Sequence, residues 1–191
     1  VNILKDIFTD IDIAPYLGFK GGTAAMIFYN LSRFSVDLDF DILDNNKEEY
    51  VFLKINNILL NYGSVKPQNK RYSLFFLLSY KDKLSNVQNI KIEINKRGFG
   101  SRYEVKHYLG IAMQVMIKED MFANKLVAMH ERIGKTNRDI FDVWFFFNNN
   151  WDINPKIIEN RTQMNFSDFL KKCIDDLEHF NNRNILSGVG E

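Results

Sequence analysis

Apolar side chains recur along this chain with two different periods. From residue 34 to 42 the alternation is strict. Phe34, Val36, Leu38, Phe40 and Ile42 fall on one face, and Ser35, Asp37, Asp39 and Asp41 on the other, which is the period of a half-buried strand. Residues 90–95 repeat the pattern, with Ile90, Ile92 and Ile94 opposite Lys91, Glu93 and Asn95. Residues 72–80 are apolar almost throughout and predict a buried strand. Residues 17–20 and 111–117 are shorter strand candidates. Helical spacing marks 47–62, where Val51, Ile55, Ile58, Leu59 and Tyr62 share a stripe. It returns at 119–133, with Phe122, Leu126, Met129 and Ile133, and at 137–147. The first residues predict a helix as far as Pro15. Gly21-Gly22 reads as a break, after which Thr23 caps a helix to about residue 31. Pro155 opens one or two further helices. Strands dominate the first two thirds and helices the last third. The expected fold is α/β (α+β), a mixed sheet flanked by helices and followed by a helical C-terminal part. The boundary falls between a core over 1–117 and a helical part over 118–191.

Composition narrows the class. A chain of 191 residues, 46% apolar, is long enough for a sizeable core and excludes wholesale disorder. No apolar run reaches the roughly 18 residues of a membrane span. The first residues show no basic segment followed by an apolar one. Cys173 is the one cysteine, which excludes an intrachain disulfide framework and a cysteine-based zinc site. These features predict a cytoplasmic protein with no membrane partner. The net charge of +1 speaks against a strongly basic nucleic-acid binder, but the distribution changes that. Residues 66–106 carry ten Lys and Arg against Asp82, Glu93 and Glu104, a net +7, so the remainder is −6. The stretch is either a solvated face or a landing strip for a polyanion. Lys66, Lys70, Arg71, Lys96 and Arg97 are its candidate RNA contacts.

The acidic face of residues 34–42 is the sharpest chemical feature. In an extended strand Asp37 and Asp39 project about 6.5–7 Å apart from one face, and Asp41 continues the row. Like charges held so repel, and a divalent cation such as Mg²⁺ would offset that cost. The alternative is an exposed face that happens to be acidic. If residues 90–95 neighbour this strand, Glu93 joins the cluster, and three carboxylates on adjacent strands make a two-metal platform for phosphoryl or nucleotidyl transfer. Otherwise Glu93 pairs with Lys91 or Lys96. Gly21, Gly22 and Thr23, between a strand and a helix, make either a plain turn or a place where phosphate meets free N–H groups. No P-loop spacing is present. Lys125 lies between Met121 and Met129 on a helix. It either snorkels to solvent or points into a site and holds a triphosphate. On the next helix Asp142, bordering a stripe of Phe141, Trp144 and Phe145, pairs either with Arg138 on its own helix or with Lys125 across the hairpin. His107, His130 and His179 have no ligand spacing.

Several blocks then occur in a telling order. They are Lys20-Gly21-Gly22-Thr23-Ala24-Ala25, Arg33-Phe34-Ser35-Val36-Asp37-Leu38-Asp39-Phe40, Ile92-Glu93-Ile94-Asn95, Ala123-Asn124-Lys125-Leu126-Val127-Ala128, and Arg132 followed by Arg138-Asp139-Ile140-Phe141-Asp142. Together they resemble the minimal nucleotidyltransferases of the DNA-polymerase-β type, and more narrowly the AbiEii-type toxins of abortive-infection systems. The resemblance covers about residues 18–147. It implies a nucleotidyltransferase core, transfer of a nucleotide from an NTP with Mg²⁺ or Mn²⁺, tRNA 3′ ends as acceptors for some members, and a cognate antitoxin. Carried over, it gives Asp37 and Asp39 the metals, with Glu93 in the third carboxylate's position. Gly21, Gly22, Thr23 and Ser35 would touch the triphosphate, Lys125 would bind phosphate, and Asp142 (or Asp139) would complete the last motif. Other readings are the same chemistry on a protein or on a small molecule such as an antibiotic, a non-catalytic nucleotide- or RNA-binding module, or an interaction protein whose acidic strand binds a basic partner.

Overall fold

The computed structural model describes residues 1–81 and 87–180. Asp82 and Lys83 of the basic stretch, and residues 181–191, lie outside the described residues. The chain divides into two compact units.

The first unit comprises Val1–Phe28, Ser35–Gly98 and Tyr103–Met116. Its strands are β1 (Leu17–Lys20), β2 (Leu38–Ile42), β3 (Ser64–Asn69), β4 (Ser73–Lys81), β5 (Val87–Asn95), β6 (Tyr103–Tyr108) and β7 (Ile111–Met116). They form one mixed sheet in the order β3-β4-β5-β2-β1-β7-β6. β2 runs antiparallel to β1 and parallel to β5, and β1 runs parallel to β7. One face is apolar. Leu17, Phe19, Phe40, Leu74, Phe76, Leu78, Ile92, Ile94 and Val115 are fully buried on it. Helices α1 (Asn2–Thr9), α2 (Gly21–Tyr29, its last residue in the second unit) and α3 (Glu48–Leu60) belong here. Phe8 of α1 packs on Phe19 and Phe40, Phe28 of α2 on Phe19, and Phe52 of α3 on Phe76. The expected α3 stripe is present, with Val51, Ile55 and Leu59 fully buried.

Several boundaries differ from the sequence expectation, each for a local reason. The first helix stops at Thr9, because Asp10 turns extended and its carboxylate accepts the N–H of Asp12 at 2.9 Å, a side-chain turn that competes with the helix. The glycine pair ends β1 at Lys20, and α2 begins at Gly21 itself, earlier than a Thr23 cap would place it. It ends at Tyr29, followed by Asn30 in the left-handed conformation, a helix stop that asparagine tolerates. The strand expected over 34–42 pairs only from Leu38. Phe34 and Val36 are 70% and 44% exposed, so their alternation marks no buried face. β4 is buried on one face only. β3 and β6 carry no strand pattern in the sequence because they are polar and largely exposed. Pro67 suits β3, an edge strand that needs no ladder donor there.

The second unit comprises Tyr29–Phe34, Phe99–Arg102 and the chain from Ile117 onward. It holds α4 (Lys118–Glu131), α5 (Arg138–Asn148), α6 (Pro155–Thr162) and α7 (Phe166–Glu178). α4 packs on α5 and α6, and α6 on α7. Phe122 meets Phe146 and Phe147, and Trp151 stacks on Phe146 at 4.1 Å. Asn154 and Asn165 cap α6 and α7 by accepting the N–H of Lys156 and Asp168. None of the helices is long and apolar enough to cross a membrane, among the described residues.

Asp120, with no exposed side-chain surface, ties this unit together. It accepts the Arg102 backbone N–H at 2.6 Å, the Arg102 guanidinium at 3.1 and 2.7 Å and the Asn154 amide at 2.8 Å. Burial is the largest influence on its carboxyl and pushes the pKa up. The hydrogen bonds from Arg102 and Asn154 and the Arg102 charge outweigh burial and leave it below the usual aspartate value. A depressed folded pKa stabilises the protein above the unfolded value of about 4 and is lost as pH falls through the folded one. Asp120→Asn is therefore expected to cost about 1–2 kcal/mol at pH 7, with the difference from wild type shrinking below about pH 4. Urea unfolding across a pH series measures this.

Candidate active site

The site is built on the face of the sheet opposite the apolar one. Burial of Phe19, Phe40, Ile92 and Ile94 leaves Lys20, Asp39, Asp41, Lys91, Glu93 and Asn95 for that other face. Register then sets neighbours: Asp39 lies between Lys20 on β1 and Glu93 on β5, and Asp41 between Gly18 and Asn95. Asp37 stands one residue before β2, and its Oδ1 accepts the backbone N–H of Lys91 at 3.3 Å. The neighbouring of the two strands required for a three-carboxylate row is therefore present.

The row is not uniform. Asp41 is 9% exposed and already saturated. The Lys20 ammonium reaches its Oδ1 at 2.5 Å, the Asn95 amide donates at 2.7 Å, and the Tyr103 hydroxyl donates to its other oxygen. The Tyr103 ring lies where a Cβ on Gly18 would be, so only glycine at 18 admits it. Asp41 is thus a structural anchor, while Asp37 and Asp39 remain partly exposed. Glu93 faces Lys91 on its own strand, with Nζ and Oε2 3.3 Å apart. Burial is the strongest influence on Glu93 and raises its pKa, but the Lys91 charge, the Ser73 hydrogen bond and the Lys70 charge leave it below the usual value.

The glycine turn touches this row. Gly21 has φ 77°, and a Cβ there would lie 2.9 Å from the Asp39 Cβ and press into its carboxylate. The N-terminus of α2 thus sits against Asp39. Thr23 is not a cap. It is buried in the first turn, its hydroxyl donating to the Asp37 carbonyl at 2.5 Å and lying 3.0 Å from the Ser35 hydroxyl. Gly21, Gly22, Thr23, Ser35, Asp37, Asp39 and Glu93 are thus gathered in the first unit.

Lys125, Asp139 and Asp142 belong to the second unit and form their own cluster. Lys125 is 14% exposed, with Nζ 3.0 Å from both Asp139 and Asp142. Asp142, wholly buried, also takes two hydrogen bonds from Arg33, at 2.5 and 2.7 Å. Arg132 lies 2.9 Å from Asp139. The Lys125–Asp142 contact across the helical hairpin is therefore made. The α5 face turned inward carries Asp139, Asp142, Val143 and Phe146; of the expected stripe of Phe141, Trp144 and Phe145, Trp144 is 54% exposed. The two carboxylates must meet Lys125 and Arg33, and that turns Trp144 outward. Burial acts most strongly on Lys125 and lowers its pKa, but Asp142 and Asp139 outweigh it and hold the ammonium charged. Nothing in the spacing of Arg33 announces a partner 109 residues away.

The basic stretch resolves into two kinds of residue. Lys96 is 12% exposed and bound to Glu48, Asn69 and the Lys70 carbonyl. Lys66, Lys70, Arg71 and Arg97 are exposed. Arg71 and Arg97 both lie over the Tyr72 ring, and the Lys70 ammonium is 3.9 Å from the centre of the Phe75 ring.

The family model described as nucleotidyl transferase AbiEii toxin, Type IV TA system, matches residues 2–183. The chain belongs to that family. It is a nucleotidyltransferase by family, and similar solved structures share its fold. JHP933 from Helicobacter pylori is 22% identical, with a TM-score of 0.58 over 95% of this chain and 81% of that one. An antigenic nucleotidyltransferase-like protein from Paracoccidioides brasiliensis is 13% identical, with a TM-score of 0.62 over 96% and 88%. MenT4, a nucleotidyltransferase toxin from Mycobacterium tuberculosis H37Rv, is 16% identical, with a TM-score of 0.54 over 95% and 82%. The search of curated proteins finds no match. The AbiEii-family assignment agrees with the fold and resemblance expected from the sequence.

Gly21 tolerates little change. Left-handed backbone costs a residue with a Cβ about 1–2 kcal/mol, and the Asp39 contact adds to that. Gly21→Ala is expected to lower stability by about 2 kcal/mol or more, and a crystal structure of the variant should show Asp39 displaced.

Proposed function

We propose that this AbiEii-family nucleotidyltransferase is the toxin of a toxin–antitoxin pair and transfers a nucleotide from an NTP to the 3′ end of an RNA, a tRNA being the acceptor the resemblance favours. A cognate antitoxin is its partner. The observation that carries the reading is the contact between the N-terminus of α2 at Gly21 and the Asp39 carboxylate. A helix N-terminus, whose N–H groups suit a phosphate, and the Asp39 carboxylate stand side by side there.

The residues present fit a divalent ion. Among the described residues no three Asp, Glu, His or Cys side chains gather around one point. Asp37 and Asp39 supply two hard-oxygen carboxylates, and Mg²⁺ usually takes one or two carboxylates with substrate phosphates and water completing its shell. Asp37 and Asp39 would hold Mg²⁺ or Mn²⁺, which lowers the pKa of an acceptor hydroxyl and offsets phosphate charge when bound. Gly21, Gly22 and Thr23 receive the β- and γ-phosphates on helix N–H groups, and Ser35 holds Thr23 in place. The acceptor oxygen bonds to the α-phosphorus as its bond to the bridging oxygen breaks. Pyrophosphate leaves, and the hydroxyl proton passes to water. Lys125 binds phosphate and Asp142 keeps it charged. Their support is the family motif and the ion pair they make within the helical unit.

With each labelled NTP, Mg²⁺ and total tRNA, the wild type is expected to label RNA. Asp39→Ala, checked for folding by circular dichroism, should lose at least about a hundredfold in rate. Unchanged labelling by the variant would remove Asp39 from the chemistry. The exposed Lys66, Lys70, Arg71 and Arg97 are proposed to receive the RNA backbone. Reversing charge at Lys70 and Arg71 should weaken RNA use by about tenfold at moderate salt and leave NTP binding intact. A parallel loss of NTP binding would show that this surface serves the nucleotide.

A further inference from the structure

In the sequence Lys91 is one charge of a basic stretch and a candidate partner for Glu93. Its place in the sheet is more particular. Parallel pairing of β2 with β5 sets Asp39 opposite Glu93, and Asp37 binds the Lys91 backbone N–H at 3.3 Å. The Lys91 side chain leaves the strand on the face that carries Asp39 and Glu93, and its ammonium lies 3.3 Å from Glu93. It is attracted by Asp39, Glu93 and Asp37 together, enough to outweigh its burial. The other lysines nearby have partners of their own, though Lys70 also acts on Glu93 through its charge. Lys20 is held by Asp41 at 2.5 Å, and Lys70 stands over the Phe75 ring. The Lys91 and Glu93 side chains are both 36% exposed, so the ammonium can swing away on its four-carbon stem.

We propose that Lys91 is the resident cation of the Asp37–Asp39–Glu93 cluster, balancing the carboxylates in the metal-free protein, and that a divalent ion enters by displacing its ammonium. The inference rests on the reading of Asp37 and Asp39 as metal ligands. It follows from electrostatics. Carboxylates carried on neighbouring positions of one sheet face repel, and a tethered cation relieves that repulsion without a bound ion. Any ion that binds must then outcompete the lysine, so Lys91 sets the divalent-ion concentration at which the site fills.

The test is Mn²⁺ titration of the full chain without NTP, by calorimetry, together with thermal melts with and without Mn²⁺. The proteins are the wild type, Lys91→Gln, Lys91→Arg, Lys70→Gln and Asp39→Asn. Lys91→Gln is expected to bind Mn²⁺ about fivefold more tightly or better, and Lys70→Gln to shift less than about twofold. Lys91→Gln should melt lower than wild type without metal and recover with Mn²⁺. Lys91→Arg, whose fork holds carboxylates in two places, should bind Mn²⁺ more weakly than wild type, a comparison that stands even if Lys91→Gln does not fold. Unchanged affinity in both Lys91 variants, or an equal shift in Lys70→Gln, overturns the inference and leaves the metal reading intact. Failure of every protein to bind Mn²⁺ overturns the metal reading itself, and this inference with it. If Asp39→Asn binds as well as wild type, the ion is not held by Asp39, with the same consequence.

Discussion

Burial of alternate residues on β1, β2 and β5 is the constraint on which the chemistry of this sheet depends. Phe19, Phe40, Ile92 and Ile94 have no exposed surface, and α1 covers Phe19 and Phe40 through Phe8. A strand offers its side chains two faces only. Once the apolar residues take one, Lys20, Asp39 and Glu93 have no choice but the other, and a one-residue slip would bury all of them. The hydrophobic term sets where the carboxylates go, and it is large enough to hold them close despite their mutual repulsion.

Given that row, the protein treats its acidic groups unequally. Asp41 is neutralised by Lys20, Asn95 and Tyr103 and contributes rigidity at the place where Gly18 lets an aromatic ring lie across the strand. Asp37 and Asp39 keep exposed surface and abut the start of α2. In the helical unit the reverse holds. Asp120, Asp139 and Asp142 are buried and each is met by Arg or Lys. Breaking such a pair by removing one partner leaves a charge without compensation, which is costly. The buried acids are therefore fixed parts of the fold, whereas Asp37 and Asp39 keep part of their surface exposed.

The basic stretch shows the same sorting. Lys91, Lys96, Arg102 and Lys106 are taken up by Glu93, Glu48, Asp120 and Glu104. Among the described residues, Lys70, Arg71 and Arg97 stand exposed around Tyr72 and Phe75. A count of charges along the chain overstates the positive surface, because pairing is decided between residues far apart in sequence.

The sequence by itself determined the period-2 core of β2 and β5, the stripe of α3, the glycine break after β1 and the Asp37-x-Asp39 pair. Each is fixed by neighbours within a few residues, through pleat, helical repeat or backbone freedom. It also carried the order of blocks that marks the family. It did not reveal that Phe34 and Val36 would be exposed, since alternation is the same whether or not a partner strand lies alongside. Nor did it reveal β3 and β6, which are strands because β4 and β7 offer them hydrogen bonds and not because of their own side chains. Only the tertiary structure decided that Asp41 is an anchor, that Lys96 is a staple, that Asp142 is shared by Lys125 and Arg33, and that Lys91 stands among the carboxylates. Those outcomes depend on strand register and helix rotation, and both are set by the whole core, not by local spacing.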